Sequence, residues 1–186
     1  QLLSDAGNVG HVAVDFSVFA AHDMAHVARI AEELGETARA EAWRRRAQRM
    51  TADIHATLWD EESGFYYDRY MDGRLSGVRA VSGFFPLLLD DIPAPRVARL
   101  VEVLHDPLHF STAFPAPSVS VSHPAWSTDM WRGATWINTN ALLIRGLRRH
   151  GQLPLREPGP GRPRPRPPCR PSDRLGCAEN HAWQIL

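Results

Sequence analysis

Asp129-Met130-Trp131-Arg132-Gly133-Ala134-Thr135-Trp136-Ile137-Asn138-Thr139-Asn140 is the stretch on which the reading of this chain turns. Two Trp, one Arg and two Asn fall together and run directly into an apolar helical pattern. Trp131 and Trp136 offer flat apolar faces and indole N–H donors. Arg132 offers a fixed fork of donors, and Asn138 and Asn140 each donate and accept. Flat faces beside two-way hydrogen-bonding groups suit a sugar ring, which is apolar on its C–H faces and polar around its rim. The same residue types also serve helix packing, with Arg132 capping a neighbouring element. Chemistry alone leaves both uses open.

Working outward, Thr135 to His150 reads as a helix stopped by Gly151. Before it, His105 to Met130 is long and largely aperiodic. Loops of that length in compact domains are usually functional or disordered, and Phe110, Phe114 and Trp126 argue against disorder. Further back, a helix from about Pro95 to Leu104 would bury Val97, Leu100, Val101 and Leu104. Another, from Val78 to Leu89, carries Pro86 as a kink or break. Asp60 to Gly64 and Met71 to Arg74 read as turns flanking an extended Phe65-Tyr66-Tyr67-Asp68.

The N-terminal part reads as a loop from Gln1 to Val14 followed by a helical hairpin. Phe16, Phe19, Asp23, Val27, Ile30 and Leu34 recur at helical spacing, with Asp15 or Ser17 as the cap and Gly35 as the stop. A second helix from about Glu36 to Leu58 would bury Ala40, Trp43, Ala47, Met50 and Ile54. The short Gly35 connection makes the pair antiparallel.

The 21 basic residues, all Arg, balance 21 acidic ones, so no net charge points to a nucleic-acid or membrane partner. No apolar run is long enough to span a bilayer. Nothing fixes the localisation, for which the cytoplasm is the default. Residues 152–186 break in composition, with Pro, Gly and Arg alternating from Pro158 to Pro171. They read as a disordered linker or as out-of-frame translation of GC-rich DNA, apart from a folded domain over residues 1–151. Cys169 and Cys177 both fall in that tail and give the core neither a disulfide framework nor a metal set.

Several of these segments carry a resemblance. Trp131-Arg132-Gly133-Ala134-Thr135-Trp136, followed by Asn138, Asn140 and Gly146-Leu147-Arg148-Arg149-His150-Gly151, resembles the Trp-Arg-Gly-x-x-Trp segment and following helix of glycoside hydrolase family 63 and its mannosylglycerate-hydrolase-like relatives. These share a clan with trehalases. Val14-Asp15-Phe16-Ser17 is similar to the family's Val-Asp-Leu-Asn helix start, and Leu58-Trp59-Asp60 to its Leu-Trp-Asp turn. Phe85-Pro86-Leu87 and Phe114-Pro115-Ala116-Pro117-Ser118 resemble its two Pro-containing loops. The resemblance covers roughly residues 9–151. Met130 stands where the family commonly has Tyr, which removes a hydroxyl.

The resemblance implies an all-α (α/α)6 toroid, of which this chain holds about five of twelve helices with long loops on one side. It also implies an inverting hydrolysis of α-glucosides or α-mannosides by two carboxyl groups, without cofactor or metal. The family's acid is an Asp in a Gly-x-Asp-Asn-Ser-Pro-like stretch upstream of Val-Asp, and its base a Glu downstream of the Gly-Leu helix. Neither context occurs here; Glu179-Asn-His-Ala-Trp is only a faint echo of the second. The expectation is therefore an internal piece of a glycosidase, inactive alone, with no catalytic residue assigned. Trp131, Arg132, Trp136, Asn138 and Asp129 would contact the sugar. Unpartnered helices would leave an apolar face prone to self-association.

Three rival readings were open. A helical protein-interaction module would need short, uniform connections, which the 105–130 stretch lacks. His22-Asp23-Met24-Ala25-His26 is a near miss to the zincin pattern, but the helical spacing puts both His on the polar side with Arg29 and Glu33. Asp60 to Gly64 lacks the ligand order of a calcium loop. Asp15 and Asp68 are the remaining carboxylate candidates, with Asp15 better read as a helix cap. Of the nearby aromatics, Tyr66 and Tyr67 could line a subsite, whereas Trp59 reads as packing.

Overall fold

The computed structural model describes residues 10–152. Four α-helices carry the architecture: α1 (Val14–Glu33), α2 (Thr37–Thr57), α3 (Ala94–His105) and α4 (Ile137–Arg149). Two small antiparallel ribbons join them. β1 (His11–Val12) pairs with β4 (Arg69–Tyr70), and β2 (Trp59–Asp60) pairs with β3 (Phe65–Tyr66). The β1 pairing lies inside the stretch expected to be loop. Residues 1–9 and 153–186, with the tail, its cysteines and Glu179, lie outside the described residues.

α1 and α2 form the expected antiparallel hairpin, and Gly35 makes it. Its φ of +76° is open to glycine at no cost, and the Gly35 and Glu36 amides donate back to Glu32 and Ala31. The contact face of α1 is not the expected one. Val14, Val18, Ala21, Ala28 and Ala31 are buried, while Phe16 (76% exposed), Ile30 (60%) and Leu34 (71%) face outward. At 3.6 residues per turn these two sets lie on opposite sides of the helix. The hairpin selects the small residues because Ala40 and Ala47 of α2 let the backbones approach closely. On α2, Trp43 and Met50 are accordingly only half-buried and Thr51 is fully in.

The helix expected at 78–89 is a 3-10 helix, Val81–Leu88. Pro86 has no N–H for an α-helical bond and would clash with the preceding turn. Nearly every side chain of this segment is buried, because it runs through the centre against α1, α4 and β3. Gly83 is fixed by packing: a Cβ there would lie 2.3 Å from the Phe65 ring. In α3, Val103 rather than Val101 completes the buried face. α4 ends as predicted at Gly151 (φ +65°), with the Gly151 and Gln152 amides returning to Arg148 and Leu147.

Phe65, Phe84 and Phe110 form the centre of the core, with Phe84 meeting the other two edge-on at 5.1 and 4.8 Å. Tyr66 is also buried, its Oη 2.7 Å from His55 Nδ1, and burial pushes its pKa up to about 12. Trp59 and Tyr67 are buried with it, so this aromatic group is packing and not a subsite.

Asp15 does not cap α1. Ala13 occupies the N-cap position without a side-chain bond, and Asp68, fifty-four residues away, accepts the Val14 N–H at 2.8 Å. Asp15 accepts the Phe16 N–H instead. Its pKa is raised, mainly by burial and then by the charge of nearby Asp68.

Candidate carbohydrate-binding site

Three extended segments lie side by side and carry the loops of interest. The Val81 N–H donates to Ser118 O at 2.9 Å, and the Ser118 N–H to Ala134 O at 3.0 Å. Isolated bridges join Ala80 to Val119 and Pro117 to Thr135. The 105–130 connection is thereby stitched between the start of the 3-10 helix and the lead-in to α4. It is irregular but held throughout its length.

His109 ties the far side of this layer. Arg79 Nη1 donates to its Nε2, and Nδ1 lies 2.9 and 3.1 Å from Ser120 Oγ and Ser122 Oγ. A guanidinium can only donate, so Nε2 must be the unprotonated acceptor and Nδ1–H the donor. Burial and then the Arg79 charge hold the imidazole pKa below its ordinary value. Asp106 Oδ2 lies 3.8 Å from the same Nε2, so the Ser120–His109–Asp106 grouping is a structural tie: Nδ1 gives its proton towards Ser120 and cannot act as its base.

The stretch 129–140 folds into a 3-10 turn (Met130–Arg132) followed by α4. The two indoles stack on one another, centroids 4.5 Å apart and planes within 16°. Trp131 is 51% exposed and Trp136 half-buried, its Nε1 donating to Met130 O at 3.4 Å. Arg132, Asn138 and Asp129 are exposed. Met130 adopts φ +48°, which is uncommon without a glycine.

Gly133 has a packing reason, since a Cβ there would lie 2.4 Å from the Trp126 indole nitrogen. The Trp-Arg-Gly turn is thus seated on Trp126, a residue that the motif itself does not reveal. Phe114 (61% exposed), Met130 (63%) and Ile137 (56%) are further exposed apolar side chains of residues 114–137.

Not every candidate ends on this surface. Asn140 is consumed internally, its Oδ1 accepting the Ala116 N–H and its Nδ2 donating to Ala116 O and Trp136 O. The His22 and His26 rings lie 4.2 Å apart on α1, tilted by 41°, with His26 exposed and His22 half-buried. His22 borders a separate cleft of about 280 Å³ between α1, α2 and residues 88–91. Among the described residues no group of three or more His, Cys, Asp or Glu is placed to hold a metal ion. Asp60 to Gly64 is a turn closed by Asp60, which accepts the Ser63 N–H at 2.9 Å. No described helix is long and apolar enough to cross a membrane.

Comparison with known proteins then decides the family. Residues 3–184 match the mannosylglycerate hydrolase MGH1-like glycoside hydrolase domain. The chain belongs to this family. A probable mannosyl-oligosaccharide glucosidase of Schizosaccharomyces pombe is 29% identical over 139 residues, covering 70% of this chain and 17% of that protein. The crystal structure of a family 63 mannosylglycerate hydrolase from Thermus thermophilus, in complex with glucose, superposes with a TM-score of 0.68 at 26% identity. It covers 76% of this chain and 35% of that one. A neutral trehalase from Saccharomyces cerevisiae, at 17% identity and a TM-score of 0.66, shares the fold over 77% of this chain and 29% of its own. The chain is thus helix-rich, with (α/α)6 glycosidases among its structural neighbours. This MGH1-like chain spans less than a third of the length of the curated relatives it matches.

Proposed function

We propose that residues 112–140 of this MGH1-like chain form one wall of a sugar pocket in an inverting hydrolase of α-glucosides or α-mannosides. The observation that carries the reading is the stacked Trp131–Trp136 pair, left half-open to solvent, with Arg132, Asn138 and Asp129 exposed beside it in sequence. Each indole covers one face of the other, so the free face of Trp131 is the platform for a sugar ring. Arg132 and Asn138 supply donors to the rim hydroxyls, and Asp129 accepts from them. Burying such exposed aromatics against the C–H face of a sugar gains apolar contact without stranding the polar rim.

Hydrolysis in this reading needs a carboxylic acid to protonate the glycosidic oxygen and a carboxylate across the sugar to activate water. The chain contributes the wall and neither of those groups, so alone it binds without turnover. Titration with methyl α-D-mannopyranoside and methyl α-D-glucopyranoside, followed by indole NMR shifts, tests the site. Saturable shifts of Trp131 and Trp136 are expected. Unmoved indoles at molar sugar, or hydrolysis of an aryl α-glycoside by this chain alone, would overturn the corresponding part.

The outward face of α1 fits the same reading. Phe16, Ile30 and Leu34 form the surface on which further helices of a toroid would pack. Left uncovered, such a stripe drives association. Sedimentation velocity is expected to show concentration-dependent oligomers, which Ile30→Glu with Leu34→Glu converts to monomer. A wild-type monomer at all concentrations would argue against this use of the face.

A further inference from the structure

We propose that Asn140 is the positioning residue that locks the Phe114–Pro117 rim loop to the Trp131–Trp136 platform. Its side chain mimics the edge of a neighbouring strand. Oδ1 accepts the Ala116 N–H at 2.6 Å, and Nδ2 donates to Ala116 O at 3.1 Å and to Trp136 O at 2.9 Å. Both amide hydrogens and the carbonyl are therefore used. The orientation is unambiguous, because only Oδ1 can face an N–H and only Nδ2 can face two carbonyls.

Ala116 is fully buried, so its backbone groups have no water to turn to if the clamp is lost. Asn140 stands on the first turn of α4, four residues after Trp136, and so carries the loop and the second indole on one rigid element. Thr135 adds a second tie, its Oγ1 donating to Phe114 O at 2.8 Å. That tie holds the loop tip but reaches neither Ala116 nor the indole. The backbone also joins these segments, Pro117 bridging Thr135 and the Ser118 N–H donating to Ala134 O, so what Asn140 adds is the link from buried Ala116 to α4. Trp136 O also accepts the Asn140 N–H at 3.1 Å and Thr139 Oγ1 at 2.9 Å, so losing the amide falls first on the buried Ala116 groups and reaches the stacked indoles through the loosened loop.

Only the sugar-binding consequence rests on the function proposed above; the clamp itself does not. The test compares wild type, Asn140→Asp and Asn140→Leu in the full chain. The readouts are Ala116 amide exchange, the far-ultraviolet exciton signal of the stacked indoles, and titration with methyl α-D-mannopyranoside. At neutral pH the aspartate carboxylate faces two carbonyls, so the exciton signal falls and sugar binding weakens by ~10-fold or more. Helix content is expected to stay as in wild type.

Lowering the pH protonates the introduced Asp and restores one donor. Partial recovery of the stack is expected in Asn140→Asp and not in Asn140→Leu, a pattern that general loosening would not produce. Wild-type exchange, exciton signal and affinity in both variants would overturn the proposal. If wild type binds no sugar, the function reading fails, and exchange and exciton signal alone decide the clamp.

Discussion

Two aromatic clusters in this chain use the same residue types to opposite ends. Phe65, Phe84 and Phe110 are sealed in the core, edge-to-face across β3, the 3-10 helix and the turn after α3. Trp131, Trp136 and Phe114 sit on an irregular, well-stitched layer and keep open faces. The rings of the first cluster meet one another on several sides and are fully buried. In the second only Trp131 and Trp136 pair, and Arg132, Asn138 and Asp129 beside them in sequence are exposed. What separates a core from a platform is therefore the surroundings of the rings and not the rings themselves.

The sharpest way to break this contrast is Phe65→Ala. It removes a fully buried ring that also fills the space over Gly83. A loss of ~3–5 kcal/mol is expected, with the ring's neighbours only partly able to collapse. Chemical denaturation measures it. A loss under about 1 kcal/mol would mean that the cluster is as loosely held as the exposed one.

The sequence showed the helical hairpin, the Gly35 and Gly151 stops and the turn at Asp60 because each has a local cause. An α-helical period, a left-handed glycine and an Asx turn are all written within a few residues. It misplaced the buried face of α1, since two apolar faces at helical spacing cannot be ranked without the partner helix. It read Val78 to Leu89 as a helix with a kink or break at Pro86, because Pro86 marks an interruption without saying which helix type replaces it. It could not see Asp68 capping α1 from fifty-four residues away, nor Trp126 under Gly133. Of the candidate site, the motif offered the Trp pair and the polar residues next to it in sequence, but not the stacking of the two indoles. The internal use of Asn140 was not legible either, because an amide that suits a sugar hydroxyl equally suits a backbone.

The layer beneath the platform gives a pH test of intermediate size. His109 accepts from Arg79 only when neutral, and its folded pKa lies below the ordinary imidazole value. A His held neutral by folding binds fewer protons than its unfolded counterpart. Its contribution is therefore full above an unfolded pKa of ~6.5 and is lost as the pH falls towards the folded value. His22 and His55 are lowered as well, chiefly by burial, and share the decline. Thermal melts are expected to fall between about pH 7 and 5. His109→Gln should flatten its share of that slope, and an unchanged slope would remove His109 from the account.

The smallest stability effect is expected where the binding effect is largest. Trp131 is half-exposed and stacks on one neighbour only. Trp131→Ala forfeits that stack, ~0.5–1.5 kcal/mol for an aromatic pair, against some relief from exposing an indole to water. The net change should stay under about 1 kcal/mol, several-fold below that of Phe65→Ala. Binding of methyl α-D-mannopyranoside should nevertheless fall by ~10-fold or more, because the platform itself is gone. A core-sized loss of stability with sugar affinity intact would place Trp131 among the packing aromatics and erase the distinction between the two clusters.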